Sequence, residues 1–348
     1  MARSDTSGGR ASIAIVGFDG CSAWITAGMI ELFAVANVAL NHLSPRARAA
    51  SKVKRFDCHV IGRSSRAIRG SHGVRFEVHP LRRRYDVCIV PPIWAESRDE
   101  LELRALKLQS HGAMLRLLSR RSNIMASACS GAVLLADAGL LAGRRATTCW
   151  WLSEWLQRRF PEIEVLADKL IVIDGDRWSA AAGSAYMHLG LELVNALAGP
   201  KVSAATARLL LVERRRGSQS PFIAPDAAPR DVLEASVERA VRYLDEHIGA
   251  RVTIAQLCKS IAVNERTLTR KFKAALDMTP LAYLQSRRMG RARQLLEDTA
   301  APLDRIVEQC GYEDIASFRK LFVRHVGMTP REYRSRFGEP HSGVSAPK

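Results

Sequence analysis

Two hydrophobic periods run along this chain, and the place where one gives way to the other divides it. From residue 11 to about residue 200, short apolar runs of strand type are interleaved with runs of helical spacing. "ASIAIVGF" (11–18), "RFDCHVIG" (55–62), "VRFEVHP" (74–80), "YDVCIVPP" (85–92) and "NIMASA" (123–128) predict strands. "AGMIELFAVANVAL" (27–40) predicts an amphipathic helix, and a second helix is predicted across 99–119. Such alternation predicts an α/β unit: a doubly wound, mostly parallel sheet with helices on both faces. "DGDRW" (174–178) carries two acids but reads as a hairpin turn, because the spacing of a metal loop is missing.

The pattern breaks at 213–230, "ERRRGSQSPFIAPDAAPR", where Arg, Gly, Ser and three prolines stand without an apolar period, as in a linker. That leaves one domain over 1–212, a second, all-helical one over 231–338, and a tail over 339–348 expected to be disordered. The second domain repeats itself. "RKFKAALDMTP" (270–280) returns as "RKLFVRHVGMTP" (319–330), and "TIAQLCKSIAV" (253–263) answers "PLDRIVEQCGY" (302–312). Each unit reads as a short amphipathic helix, a tight turn and a second helix with a charged face. Two helix-turn-helix units are thus joined by one long helix, "PLAYLQSRRMGRARQLLED" (280–298).

In such a unit the second helix presents its N-terminal residues to base edges in the major groove. Spacing assigns Ile254, Leu257, Ile261, Leu268 and Phe272 to packing in the first unit, and Leu303, Ile306, Val307, Phe318 and Phe322 in the second. Arg266, Thr269 and Arg270 then point outward, with Thr267 and Lys273 beside them, as do Ser317, Arg319 and Lys320. Arg can fork onto guanine, while Thr and Ser read permissively. Arg287, Arg288, Arg291, Arg293, Arg331 and Arg334 are suited by type to phosphates.

Charge supports a polyanionic partner without specifying one. The formal charge is +17, and residues 251–336 hold 17 basic against 9 acidic side chains. Residues 1–230 are basic as well, 32 against 20, so the excess is not confined to the helical repeat. Seven cysteines, an odd number without CxxC spacing, argue against a disulfide framework and against a zinc site, and no cofactor is implied. The N-terminal apolar run is too short for a signal peptide, and no stretch is read as reaching bilayer-spanning length. A cytoplasmic protein is expected.

"IMASACSGAVLLADAG" (124–139) ends a strand on Cys129 and starts a helix at once, as a chain does when it displays a nucleophile. Helix N–H groups facing the thiol would lower its pKa. Nucleophilic catalysis also needs a base within reach, and none is apparent: His188 lies on an apolar helical stretch and reads as a core residue. Trp150, Trp151 and Trp155 could form an aromatic box for a quaternary ammonium, but read first as helix packing.

Residues 252–337, through "RTLTRKFK", "RARQLLED" and "CGYEDIASFRKLF…MTPREYR", resemble the AraC/XylS DNA-binding domain. The segments "AGMIELFAVAN", "ACSGAVLLADAGLLAGRRATT", "RFPEIEV" and "SAAAGSAYMHLGLELV" resemble the class I glutamine amidotransferase-like, PfpI-like domain of GlxA-type regulators. The resemblance implies a flavodoxin-like first domain. It also implies double-stranded DNA bound in successive major grooves about 34 Å apart, a homodimer, promoter activation with RNA polymerase as a further partner, and an amino-acid-like or quaternary-ammonium effector. It puts an acid, Glu31, beside Cys129, and a histidine where this chain has Cys149. A thiol does not replace imidazole as a proton acceptor at neutral pH, so no catalysis is expected. Glu31, Cys129, Ser130, Gly131, Cys149 and Trp150 are expected to form a small-molecule pocket instead. Two rival readings remain: a cysteine-dependent amidase or hydrolase fused to a DNA anchor, and a thiol redox sensor using Cys129 and Cys149.

Overall fold

The computed structural model describes residues 9–62, 67–213, 217–222, 234–276 and 278–338. The tail at 339–348 lies outside them. The chain divides into two units after Gln219.

The first unit is built on strands β1 (Arg10–Val16), β2 (Arg55–Ile61), β5 (Tyr85–Val90), β6 (Ser122–Ala128), β9 (Ile171–Asp174) and β10 (Arg177–Ala180). Their order in the sheet is β2-β1-β5-β6-β10-β9, parallel except for the β9–β10 hairpin. The first five strands follow the flavodoxin-like winding, with the order reversing between β1 and β5. All six residues of β5 are buried, which requires cover on both faces. Helices α1 (Ala23–His42), α7 (Ala185–Ala198) and α8 (Pro200–Leu209) pack on one another, as do α3 (Arg98–Leu108), α4 (Gly112–Arg121) and α5 (Gly131–Asp137). The remaining elements are α2 (Pro45–Ala50), α6 (Trp150–Arg159), the antiparallel pair β3 (Ile68–Arg69) with β4 (Arg75–Phe76), and the parallel pair β7 (Arg145–Ala146) with β8 (Glu164–Val165).

Several expectations are corrected. "VRFEVHP" is not a strand of the main sheet; only Arg75–Phe76 pairs, with β3, and His79 touches β2 through a single bridge. The helix expected across 99–119 is broken by a 3-10 turn at Gln109–His111, where Gly112 follows. Helix α1 begins at Ala23 rather than 27, and at 20 residues it is long and apolar enough to cross a membrane by length and composition. The sequence reading missed this because it started the helix four residues late. Half of that apolar window is buried inside the unit, against α7, α8 and β2, so the apolarity is that of a core helix.

The stretch expected as a linker lies partly outside the described residues, and the described part is not free. Gln219 is buried; its amide Nε2 donates to the Thr148 and Ala167 carbonyls (2.9 and 2.8 Å), and its N–H donates to the Asp168 carbonyl.

The second unit is helical: α9 (Ala235–Glu246), α10 (Ile254–Ile261), α11 (Glu265–Leu276), α12 (Pro280–Asp298), α13 (Leu303–Gln309), α14 (Ile315–Val326) and α15 (Pro330–Phe337). It has two small cores. One gathers Leu257, Ile261, Leu268 and Phe272 against α9; the other gathers Ile306, Val307, Phe318, Phe322 and Val326 against α12 and α15.

Candidate nucleic-acid interface and cysteine turn

Both helix pairs are closed by local chemistry. A capping box between Thr253 and Gln256 starts α10, which stops at Ala262 in the left-handed region (φ 56°). The Asn264 side chain then accepts the Thr267 N–H (2.8 Å) at the start of α11. In the second pair the turn runs through Gly311 (φ 75°), and the Asp314 carboxylate accepts the N–H groups of Ala316 and Ser317. Those bonds hold Asp314 below the ordinary carboxylate range.

The two second helices bury matching stripes, Leu268 with Phe272 and Phe318 with Phe322, fifty positions apart. Arg266, Arg270 and Lys273 on α11, and Ser317, Arg319 and Lys320 on α14, are therefore exposed, while Thr267 and Thr269 are half-buried. Among the described residues these five cations form no ion pair or hydrogen bond. Cations held out on rigid helices and left unpaired are what a phosphate- or base-contacting surface requires.

The arginines assigned to phosphates divide. Arg291 and Arg331 are exposed. Arg287 is ion-paired to Asp245 (Nε–Oδ1 2.9 Å), whose carboxylate also accepts the Tyr283 hydroxyl. Arg288 is buried; it donates to the Ile248 and Ala250 carbonyls (2.9 and 2.6 Å), with its guanidinium 5.1 Å from the Tyr312 ring. Arg293 is buried, and burial pulls its pKa below the usual guanidinium value. Arg334 donates to the Ala301 carbonyl (2.5 Å). Residue type alone misled here. The i, i+4 stripe Leu284–Arg288–Ala292–Leu296 carried the signal that Arg288 faces inward.

At the cysteine turn, Cys129 sits at φ 50°, a left-handed conformation at the carboxyl end of β6. Three contacts enforce it. The Ser130 hydroxyl donates to the Ile93 carbonyl (3.0 Å), and the Thr148 hydroxyl donates to the Cys129 carbonyl (2.9 Å). Gly131 lies so close to β5 that a Cβ there would stand 2.4 Å from the Val90 carbonyl oxygen. The thiol of Cys149 donates to that of Cys129, and the Ser130 and Gly183 N–H groups also point at it, so Cys129 lies below the ordinary thiol value despite burial. Cys149 is fully buried, and desolvation pushes its own thiol well up.

Cys129, Ser130, Gly131 and Cys149 thus come together, and Trp150 is half-buried at the first position of α6. Glu31 does not join them: it is exposed on α1, because the buried stripe of that helix runs through Met29, Leu32, Phe33 and Ala36. The groups bonding Cys129 are a thiol, a hydroxyl and amides, with no imidazole or carboxylate among them. His188 is buried with Nε2 3.0 Å from the Glu213 carbonyl oxygen, as a core histidine. Trp151 is exposed, and Arg159 lies over Trp155 with its guanidinium 5.2 Å from the ring. The sequence reading missed Gln219, the buried amide that ties the following segment to Thr148.

Residues 257–336 match the family profile of a helix-turn-helix domain. The HTH-type transcriptional regulator CdhR of Pseudomonas aeruginosa is 29% identical over 64% of this chain and 66% of its own length. The HTH-type transcriptional regulator GbdR of the same species is 27% identical over 67% of this chain and 62% of its own. The chain therefore spans a little under two thirds of these relatives. Among solved structures, a ThiJ/PfpI family protein from Pseudomonas syringae is 18% identical, covering 68% of this chain and 86% of its own, with a TM-score of 0.44. The C-terminal unit is an AraC-type helix-turn-helix domain, and the chain is a homologue of regulators that carry one.

Proposed function

We propose that this protein is a sequence-specific double-stranded-DNA-binding transcription regulator, whose first unit senses a small molecule without turning it over. The observation that carries it is the matched pair of exposed, unpaired basic helix faces on α11 and α14. Arg266, Thr267, Thr269, Arg270 and Lys273 would read one groove, Ser317, Arg319 and Lys320 the next, and Arg331 would hold phosphate. The names of the relatives support regulation of transcription, in the cytoplasm, as a homodimer and with RNA polymerase as the further partner of an activator.

The turn formed by Cys129, Ser130, Gly131 and Cys149 is tied through Thr148 to Gln219, next to the segment that leads into the reader. That tie supports coupling between an effector in the first unit and operator binding, which requires only that the effector favour one arrangement of the protein over another. Selection of binding sequences from random duplex with the full chain tests the main reading. A defined sequence should be enriched, and Arg270→Ala or Lys320→Ala should weaken its binding by about 1–3 kcal/mol. Failure to enrich any sequence, even at low salt, refutes it.

The lowered pKa of Cys129 and its contact with Cys149 favour a second reading, a thiol redox sensor. Peroxide should then change DNA affinity in the parent protein and not in Cys149→Ala; equal response in both removes it.

A further inference from the structure

The largest chemically mixed cavity in the first unit is not at the cysteine turn. A cleft of about 600 Å³ lies where the sheet order reverses, beyond the carboxyl end of β1, and Cys129, Ser130, Gly131 and Cys149 do not line it. Gly17, Phe18, Asp19 and Gly20 form one side, with Ile68; Arg104, Lys107, Leu108 and His111 form the other. Open α/β sheets bind ligands at this switch point, because adjacent loops there diverge to opposite faces.

The polar groups of the lining are unequal. Arg104 is already committed, to Glu100 (2.6 Å) and to the Trp94 carbonyl (2.8 Å). Lys107, one turn further along α3, makes no ion pair among the described residues. Asp19 likewise makes none; its Oδ1 accepts only the Arg69 N–H (2.8 Å). One unpaired cation and one unpaired carboxylate therefore line a single cleft, with the apolar groups Phe18, Ile68 and Leu108 also on its walls. A ligand bearing one charge satisfies one of them and repels the other.

We infer that this cleft is a binding site for a small zwitterion with an apolar body, Lys107 taking its carboxylate and Asp19 its cationic group. The inference rests on reading the first unit as a sensor and moves the sensing site from the cysteine turn to the switch point.

The test is a thermal-shift and calorimetric titration of the full chain with three probes of equal length: ε-aminocaproate, caproate and hexylamine. The zwitterion should bind best, by about fivefold over either singly charged probe, the upper range for a solvent-facing ion pair. Asp19→Asn, which keeps an acceptor for the Arg69 N–H, should turn the preference toward caproate. Lys107→Gln should turn it toward hexylamine, and Cys129→Ala should change neither. Absence of binding by all three probes overturns the assignment, as does a preference unmoved by both charge substitutions or lost in Cys129→Ala. Operator binding of the same preparations is measured alongside, so that failure of this site is distinguishable from failure of the DNA-binding reading.

Discussion

Replacing Gly311 with alanine tests whether Arg288 holds the two helix-turn-helix units together. The glycine has φ 75°, and a Cβ there would stand 2.6 Å from the Arg288 Nη2, 2.9 Å from its Cζ and 3.1 Å from the Ile248 carbonyl oxygen. The left-handed backbone alone costs an alanine about 1–2 kcal/mol. The guanidinium must also withdraw and surrender at least one of its bonds to the Ile248 and Ala250 carbonyls, each worth about 1.5–3 kcal/mol for a charged donor. The expected loss is about 3–5 kcal/mol, a large part of an ordinary domain's stability. All six tryptophans lie in the first unit, so their fluorescence is blind to this change. Hydrogen exchange of the full chain, resolved over peptides spanning 254–276 and 303–337, is the suitable assay. Protection there should fall by two orders of magnitude or more, at about 1.4 kcal/mol per tenfold. In an Arg288→Met background the same alanine should cost only the backbone part. Equal cost in both backgrounds, or a loss under about 1 kcal/mol, would refute the reasoning.

Three further outcomes follow from the geometry. Gly131→Ala places a Cβ against the backbone carbonyls of Val90 and Pro91, which cannot swing away, so the urea midpoint of tryptophan fluorescence should drop by an amount worth at least about 2 kcal/mol; an unchanged midpoint contradicts the close approach. Arg331→Ala should reduce the slope of log affinity against log salt by about 1, whereas Arg287→Ala should lower stability and leave that slope in place, since its charge is spent on Asp245; equal slopes for both variants would reverse the assignment. Cys129 should be the first thiol alkylated near neutral pH, because a lowered pKa leaves more thiolate there, and Cys149→Ala should move the pH midpoint of that reaction upward; an unmoved midpoint means that Cys149 does not donate to it.

The sheet and both helix-turn-helix units were legible because their signals are local and repeated. Apolar runs such as "YDVCIV" need cover on both faces, and the matched stripes of α11 and α14 recur at a fixed offset. What escaped the sequence depends on distant partners. Nothing in "RRMGRAR" says that Arg287 meets Asp245 or that Arg288 reaches the carbonyls after α9; those acceptors lie about forty residues upstream. The same holds for Glu31, which a family pattern set beside Cys129 but whose place on α1 follows from which stripe that helix buries. Gln219 was hidden for a different reason. A run of Arg, Gly, Ser and Pro has the composition of a free linker, and one buried amide bonding to two carbonyls overrides it.

The contact between Cys129 and Cys149 shows why a turn built to display a nucleophile does not make an enzyme. Activation of a thiol requires two things: stabilisation of the thiolate, and a group that receives its proton and later returns it. The Cys149 thiol and the N–H groups of Ser130 and Gly183 provide the first. Cys149 fails at the second in a specific way. It acts toward Cys129 as a donor, and its full burial raises its own pKa, so the protonated form it must keep in order to stabilise the thiolate is also the form that cannot accept a proton. An imidazole has a second nitrogen with which to resolve that conflict, and a thiol has one atom for both tasks. The turn therefore keeps its strained backbone, its glycine and a stabilised thiolate, yet has nowhere to send the proton, and the bonds from Thr148 to the Cys129 carbonyl and from Gln219 to Thr148 leave its conformation readable from the segment that follows.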